Sequence, residues 1–374
     1  MQSKKIALIA SVHTHIRSFH QPLIKALQEQ GHIVDVICGD QEADKLGDEE
    51  ILISIHRNPF NPANLIGLWQ LIKLLRQKNY DLVHCHTPIG GLLTRLACLL
   101  ASSRAKVVYT AHGFHFYKGA PALNWLIYYP IEWFLAACTD LLLVINQEDW
   151  QNARSLNFPA RQIKRIPGVG VNLKQFRTII SARKAFIRFQ NGYFADEKLV
   201  ICVGEFNKNK NQQLLLHALA LIKQQAPELK VRLILAGNGP LWRECKRLAK
   251  QLGVADDVEF LGYRNDLDEF LTYCDLAVSA SRREGLPVSI IEALATGLPI
   301  VASDIRGHRD LVTKDNGELV ACTDNEVSDF AKAIIRSLRP ETAKNPEACR
   351  QSSLVYDVQK VTEMLLDLYK DLLS

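Results

Sequence analysis

Apolar positions along the chain fall into two series of strand-length runs, each followed by residues spaced for a helix. Ile6-Ala7-Leu8-Ile9-Ala10 is uninterrupted and short, as a strand buried on both faces requires. Leu23, Ile24 and Leu27 then predict a helix over 19–30, which Gly31 ends. Ile33–Cys38 is the second strand. Helices over 63–78, 90–102 and 122–138 alternate with strands over 82–84, 106–109 and 141–144. The rhythm restarts with strands 199–203, 231–236, 258–260 and 275–279 and one beginning at Pro299. Helices over 211–224, 239–252, 266–273 and 287–296 separate them. Such alternation predicts an α/β chain of doubly wound, mostly parallel sheets. The expected division is a first domain over 1–170 and a second over 171–355, meeting near the Pro167–Asn172 stretch. A helical tail over 356–374 is expected to pack back on the first domain. Ligands of paired open sheets belong in the cleft between them, at the carboxyl ends of the strands.

The densest local pattern is Glu284-Gly285-Leu286-Pro287-Val288-Ser289-Ile290-Ile291-Glu292. It joins the strand 275–279 to a helix in which Pro287 suits the first turn. A strand, a glycine turn and a helix start together form an anion site, because free N–H groups and the helix dipole meet there. Glu292 then lies about 7–8 Å along the helix from that point. This suits a ribose whose diphosphate rests on the helix start, with Glu284 beside the transferred group. A solvent-facing helix with a loop carboxylate is the plainer alternative.

Strand 199–203 runs into Gly204-Glu205-Phe206-Asn207-Lys208-Asn209-Lys210-Asn211. Its two lysines can neutralise a leaving diphosphate, or simply form an exposed basic loop. Strand 231–236 runs into Gly237-Asn238-Gly239-Pro240, where glycine permits close backbone approach. Tyr263 and Arg264 follow strand 258–260, placed to meet a base. Asp266-Leu267-Asp268 reads as an N-cap with an acidic first turn rather than as a metal site. In the first half, His84, His86, His112 and His115 crowd near two strand ends. Metal binding is the alternative there, and separate strands without helical spacing or a carboxylate argue against it.

The 374 residues, 48% hydrophobic and 23% charged, fit two globular domains. A net charge of +5 does not imply nucleic acid. Nine cysteines without a C-x-x-C pair fit free thiols in a reducing compartment. With no signal-peptide pattern ahead of the first strand, a cytoplasmic protein is expected, peripheral at the inner face of the plasma membrane.

These motifs resemble glycosyltransferase family 4, whose retaining enzymes have the GT-B fold of two Rossmann-like domains facing across a cleft. Glu284 and Glu292 match its E-x₇-E motif, and Lys210 matches the lysine of its G-R-x-x-x-x-K pattern, although Glu205 stands where the family has arginine. Gly237-Asn238-Gly239-Pro240 is similar to its A-G-x-G-P turn. Thr110-Ala111-His112 is similar to its T-x-H, whose histidine contacts the donor sugar. The glycine pair usual after the first strand is replaced by the loop Val12–His20. That variant, with His84-Cys85-His86-Thr87-Pro88-Ile89-Gly90-Gly91, resembles capsule and exopolysaccharide transferases.

The resemblance implies transfer of a hexose or N-acetylhexosamine from a nucleoside-diphosphate sugar, with UDP as the nucleotide, to a saccharide acceptor linked to a polyprenyl diphosphate. His112, Glu284 and Lys210 would be catalytic. Gly204, Lys208, Gly237, Asn238, Gly239, Tyr263, Arg264, Gly285, Leu286, Pro287 and Glu292 would bind the donor. His15, His20, His86 and His115 would lie on the acceptor side. No cofactor or divalent metal is implied. A nucleotide-sugar 2-epimerase and a catalytically silent nucleotide-sugar-binding protein are the alternative readings. The aromatic stretch 114–134 reads either as a helix buried on the first sheet or as one resting on a bilayer, since its uncharged run is too short to span.

Overall fold

Residues 2–40 and 45–374 are described by a computed structural model. They form two compact units, Met1–Gly170 with Val358–Ser374, and Val171–Asp357.

The first unit is built from β1 (Lys5–Ala10), α1 (His13–Glu29), β2 (Ile33–Cys38), β3 (Glu49–Leu52), α2 (Ala63–Lys78), β4 (Leu82–His86) and α3 (Pro88–Ala101). It continues with β5 (Lys106–Ala111), α4 (Ala122–Ala136), β6 (Leu141–Val144), α5 (Gln147–Ser155) and β7 (Gln162–Arg165). All strand pairs are parallel, in the order β3-β2-β1-β4-β5-β6-β7. The order turns back between β1 and β4, the place where such sheets open a crevice at their carboxyl ends. There Ser11 and Thr87, at the ends of the two strands, bind each other, with Ser11 N–H donating to Thr87 Oγ1 at 3.1 Å. Thr87 is held at φ 62°, a conformation a threonine adopts only under local constraint.

Edge strands β3 and β7 have the sequences EEIL and QIKR. They carry no apolar run because an edge presents polar side chains to water, and the pattern reading passes over them. At the centre, Arg95 is fully buried. Its guanidinium lies 3.9 Å from the Tyr109 ring and donates to Glu132 at 2.8 Å, tying α3, β5 and α4 together.

The second unit comprises α6 (Ser181–Gln190), β8 (Glu197–Val203), α7 (Gln212–Gln225), β9 (Lys230–Ala236), α8 (Trp242–Gln251), β10 (Val258–Gly262) and α9 (Leu267–Thr272). It is completed by β11 (Leu276–Ser279), α10 (Val288–Ala295), β12 (Ile300–Ser303), β13 (Gly317–Val320), α11 (Glu326–Leu338) and α12 (Pro346–Ser353). The strand order is β10-β9-β8-β11-β12-β13, parallel throughout, and turns back between β8 and β11. The segment 177–197, which the sequence leaves as an exposed loop or helix without evident chemistry, contains α6. Lys184 and Arg188 fasten that helix to Asp275 at 3.0 and 2.5 Å.

The last helix, α13 (Val358–Leu373), belongs to the first unit. Val361, Leu365, Leu368 and Tyr369 form its buried stripe, and it packs on α1. Tyr369 Oη meets His84 Nδ1, while His84 Nε2 lies 2.7 Å from Thr110 Oγ1.

Three local readings need correction. The segment Val12–His20 is not a loop: α1 starts at His13, and its buried face runs His13, Ile16, His20, Leu23, Ile24, Leu27. Histidines occupy core positions of that stripe, so apolar spacing alone places the start too late. Pro287 is not in the first helical turn. With ψ 114° it is the extended cap residue before Val288. Asp266 stands at the cap of α9 but makes no capping bond, because its carboxylate is engaged by Arg264.

Candidate functional site

In the second unit the loops after β8, β9, β10, β11 and β12 assemble at the carboxyl end of the sheet. Backbone bonds join them: Gly204 N–H to Ala236 O at 2.9 Å, Phe206 N–H to Asn238 O at 2.8 Å and Gly237 N–H to Gly262 O at 2.8 Å. A Cβ on Gly237 would lie 2.1 Å from Gly204 O, and one on Gly239 2.5 Å from the Phe206 backbone. The smallness of these two glycines is therefore already used by loop-to-loop packing.

Because β8 and β11 are neighbours, their loops meet where the strand order turns. Lys210 Nζ donates to Glu284 Oε1 at 2.6 Å. Both side chains are mostly buried, with 23% and 13% exposed. Asn207 Oδ1 accepts from Lys210 N–H at 2.9 Å, and Asn209 N–H₂ donates to Arg283 O at 2.9 Å, which fixes one loop on the other. Gly204 lies beneath the lysine stem: a Cβ there would sit 3.2 Å from Lys210 Cδ. The pair leads into the start of α10, whose N-terminus no side chain caps.

The turn around Gly285 is supported from β12 by residues that sequence reasoning missed. Arg306, 4% exposed, donates through Nε to Glu284 O at 3.1 Å. Gly307, at φ +81°, lies so close that a Cβ would fall 2.5 Å from Gly285 O. His308 is wholly buried, its Nδ1 2.8 Å from Ser303 O and its Nε2 3.2 Å from Ser279 Oγ. Burial is the main reason its pKa is lowered, with nearby Lys210 acting in the same direction. The run Ser303-Asp304-Ile305-Arg306-Gly307-His308 is polar and directly follows a strand, the one signal that could have drawn attention to it.

Glu292 stands on α10, partly buried. Desolvation, followed by repulsion from Asp268, raises its carboxyl from 4.5 to about 7. Lys208 and Tyr263 are exposed. Arg264 forks onto Asp266, with Nε donating to Oδ1 at 2.7 Å. Glu205, at the expected arginine position, accepts from Asn207 Nδ2 at 3.0 Å.

In the first unit the histidines divide. His15 and His20 from α1, His86 at the end of β4 and His112 just past β5 converge, one ligand-capable atom of each lying within 4.8 Å of the others. Adjacent parallel strands β4 and β5 (His86 pairs with Thr110) and a helix leaving β1 bring them together. Position on separate strands is thus no barrier to assembly, contrary to the argument from spacing. His20 stacks on His86 at 3.9 Å, and His15 meets His112 edge-on at 4.7 Å. His115 lies outside the cluster, stacked on Tyr128 at 4.5 Å.

On α4 the aromatic face divides as well. Trp125, Tyr128 and Tyr129 pack against the core, and Leu135 and Ala136 are buried. Leu123, Leu126, Ile127, Ile131 and Phe134 form an opposite stripe, with Leu126 73% and Phe134 55% exposed. The helix thus packs one face on the core of the first unit and leaves the other exposed. Among the described residues no helix is long and apolar enough to cross a membrane.

Comparison with known proteins gives a consistent picture. Residues 183–353 match the family model of glycosyl transferases group 1, and residues 5–146 match that of glycosyl transferase 4-like proteins. The chain is 38% identical to the glycosyltransferase-type protein EpsD of Bacillus subtilis (strain 168), over 98% of this chain and 96% of that one. It is 28% identical, over 82% of this chain and 79% of the relative, to the Escherichia coli UDP-Gal:alpha-D-GlcNAc-diphosphoundecaprenol alpha-1,3-galactosyltransferase. Among solved structures, Anabaena Alr3699/HepE in complex with UDP and glucose superposes with a TM-score of 0.79 at 20% identity, covering 98% of this chain and 100% of that one.

Proposed function

Since the chain belongs to the group 1 glycosyltransferases and shares their GT-B fold, we propose that it transfers a hexose or N-acetylhexosamine from a UDP-sugar to a saccharide on a polyprenyl diphosphate, with retained anomeric configuration. The observation that carries this reading is the Lys210–Glu284 contact, placed at the turning point of the second sheet and beside the start of α10. A cation and an uncapped helix N-terminus there suit a diphosphate, and the carboxylate beside them suits the sugar it carries. The α10 start and Lys210 take the diphosphate, Glu284 takes donor hydroxyls and Glu292 takes the ribose.

In the proposed step the bond from the anomeric carbon to the diphosphate oxygen breaks. The acceptor oxygen bonds to that carbon on the same face. Its proton passes to the departing diphosphate oxygen, so no protein carboxylate is consumed. The protein's share is positioning and stabilisation of the charge growing on the leaving group. The Escherichia coli relative, named for a diphosphoundecaprenol acceptor, supports the choice of acceptor class. The Anabaena complex supports UDP.

Incubation with a panel of nucleotide-sugars and a polyprenyl-diphosphate-linked saccharide tests this reading. Transfer with retention, read from the anomeric coupling of the product, is expected. Donor epimerisation or hydrolysis without transfer, or an inverted product, would overturn it.

The same reading gives the exposed α4 stripe a task, which is to rest the enzyme on the membrane that carries its acceptor. A Leu126→Glu, Phe134→Glu double variant is expected to bind anionic liposomes roughly 100-fold more weakly, because each buried large apolar side chain is worth about 1.5–3 kcal/mol. Co-sedimentation measures this. Equal sedimentation of variant and wild type would remove the stripe from membrane contact.

A further inference from the structure

The four-histidine cluster lies where the first sheet reverses its strand order, a position that in open α/β sheets collects ligands. We propose that His15, His20, His86 and His112 form a closed site for one divalent transition-metal ion of the zinc class, tying the first half of α1 to the carboxyl ends of β4 and β5. This goes beyond sugar transfer and reassigns four first-unit residues that the family likeness turns toward the substrates, His112 at the donor sugar and His15, His20 and His86 on the acceptor side; it does not rest on Lys210, Glu284 or Glu292, which lie in the second unit.

Three observations carry the inference. The first is hydrogen bonding. Nε2 of His15, of His20 and of His86 is buried and has no hydrogen-bond partner among the described residues. Buried polar nitrogens are nearly always satisfied, and three orphans in one cluster call for something to occupy them. The remaining recorded contact, His112 Nε2 to His86 Nδ1, is long at 3.4 Å.

The second is distance. Imidazole nitrogens bind zinc at about 2.0–2.1 Å, which sets them roughly 3.4 Å apart around a tetrahedron. The four candidate atoms already lie within 4.8 Å of one another. Each needs to move inward by only about 1 Å to reach that geometry.

The third is chemistry. Four nitrogen donors without a carboxylate suit zinc, copper or nickel and not magnesium or calcium. Metals bind the neutral ring, and a largely buried site without a carboxylate among its four side chains favours that form. Four protein ligands leave no open position, so the ion's part is structural.

The test uses the full chain purified without a histidine tag, stripped with chelator and titrated with Co²⁺. Expected are saturable uptake of one ion per chain, the intense visible bands of tetrahedral cobalt, displacement by Zn²⁺ and a higher melting temperature with Zn²⁺. His20→Gln and His86→Gln are each expected to weaken Co²⁺ binding by about 100-fold or more, since even outer-shell changes cost 10–100-fold. His115→Gln, outside the cluster, should leave it unchanged. If the buried variants do not fold by circular dichroism, His15→Gln at the partly exposed position serves instead. The proposal is overturned if the folded wild type takes up no Co²⁺, if uptake survives these variants, or if the spectrum is octahedral. Binding of inorganic pyrophosphate without metal uptake would likewise overturn it, marking an anion site.

Discussion

Replacing Lys210 with alanine is expected to lower the rate of sugar transfer by about 10²–10³-fold, the usual loss when one preorganised donor to developing negative charge is removed. The lysine is held in place before substrate arrives. Its amine is paired with Glu284, its backbone is bound by Asn207, and its stem lies over Gly204. Little rearrangement is then left for the moment when charge appears on the leaving group. Glu284→Gln should also depress transfer, but by a different route. It replaces a charged acceptor for donor hydroxyls by a weaker neutral one and leaves the amine freer to meet a diphosphate. UDP affinity by calorimetry is therefore expected to fall in Lys210→Ala and to hold or rise in Glu284→Gln. Because the two side chains touch, the double variant should cost less than the two single losses combined. Near wild-type transfer by Lys210→Ala, or a parallel loss of UDP affinity in both variants, would refute the assignment.

The second large effect concerns Glu292, whose carboxyl is raised from 4.5 to about 7 chiefly by desolvation. The folded state then holds this proton more tightly than the unfolded chain does. The carboxyl's contribution to stability is most favourable below the unfolded value and declines as pH rises from about 4.5 to about 7. Above that, the penalty of a partly buried, desolvated charge remains, at most on the order of 3 kcal/mol for such a shift. Glu292→Gln has no such charge. It should melt close to wild type at pH 5 and clearly above it at pH 8. The same change should weaken UDP by roughly 10–100-fold at pH 8, since charge-assisted bonds to ribose hydroxyls are lost. Wild-type UDP affinity should itself fall as pH drops below about 7, because the carboxylate must be ionised to accept both hydroxyls. A stability gain without a loss of UDP binding would separate Glu292 from the ribose. An identical melting difference at both pH values would show that its charge is compensated. A residue that destabilises the empty protein and serves the bound one is what a ligand-binding position is expected to be.

Much of this architecture could be read from the chain before any coordinates, and the reasons for the gaps are physical. Central strands such as Ile6–Ala10 and Leu199–Val203 are apolar on both faces, so their runs are unmistakable. Edge strands β3 and β7 carry glutamate, glutamine, lysine and arginine and leave no such trace. The start of α1 was hidden because histidine, polar by composition, fills buried helical positions. The contact of Lys210 with Glu284 spans 74 positions and came within reach only through a family likeness, since no local pattern encodes which two loops share a sheet end. Arg306 and Gly307 were passed over for a related reason: they brace a turn from the neighbouring strand. The crowd read from the sequence, His84, His86, His112 and His115, contains two members of the cluster; the other two, His15 and His20, are brought in by α1 and the strand order β1-β4-β5.

The return of α13 to the first unit has a consequence for how the protein is made. The second unit is an insertion, entered after Gly170 and left at Asp357, and Val171 N–H bonds Tyr356 O at 2.8 Å so that entry and exit lie side by side. During synthesis the inserted unit is complete while its host still lacks a closing helix and the Tyr369 partner of His84. The half of the protein translated first therefore cannot cover α1 or pair His84 until the whole inserted unit and the helix after it have been made.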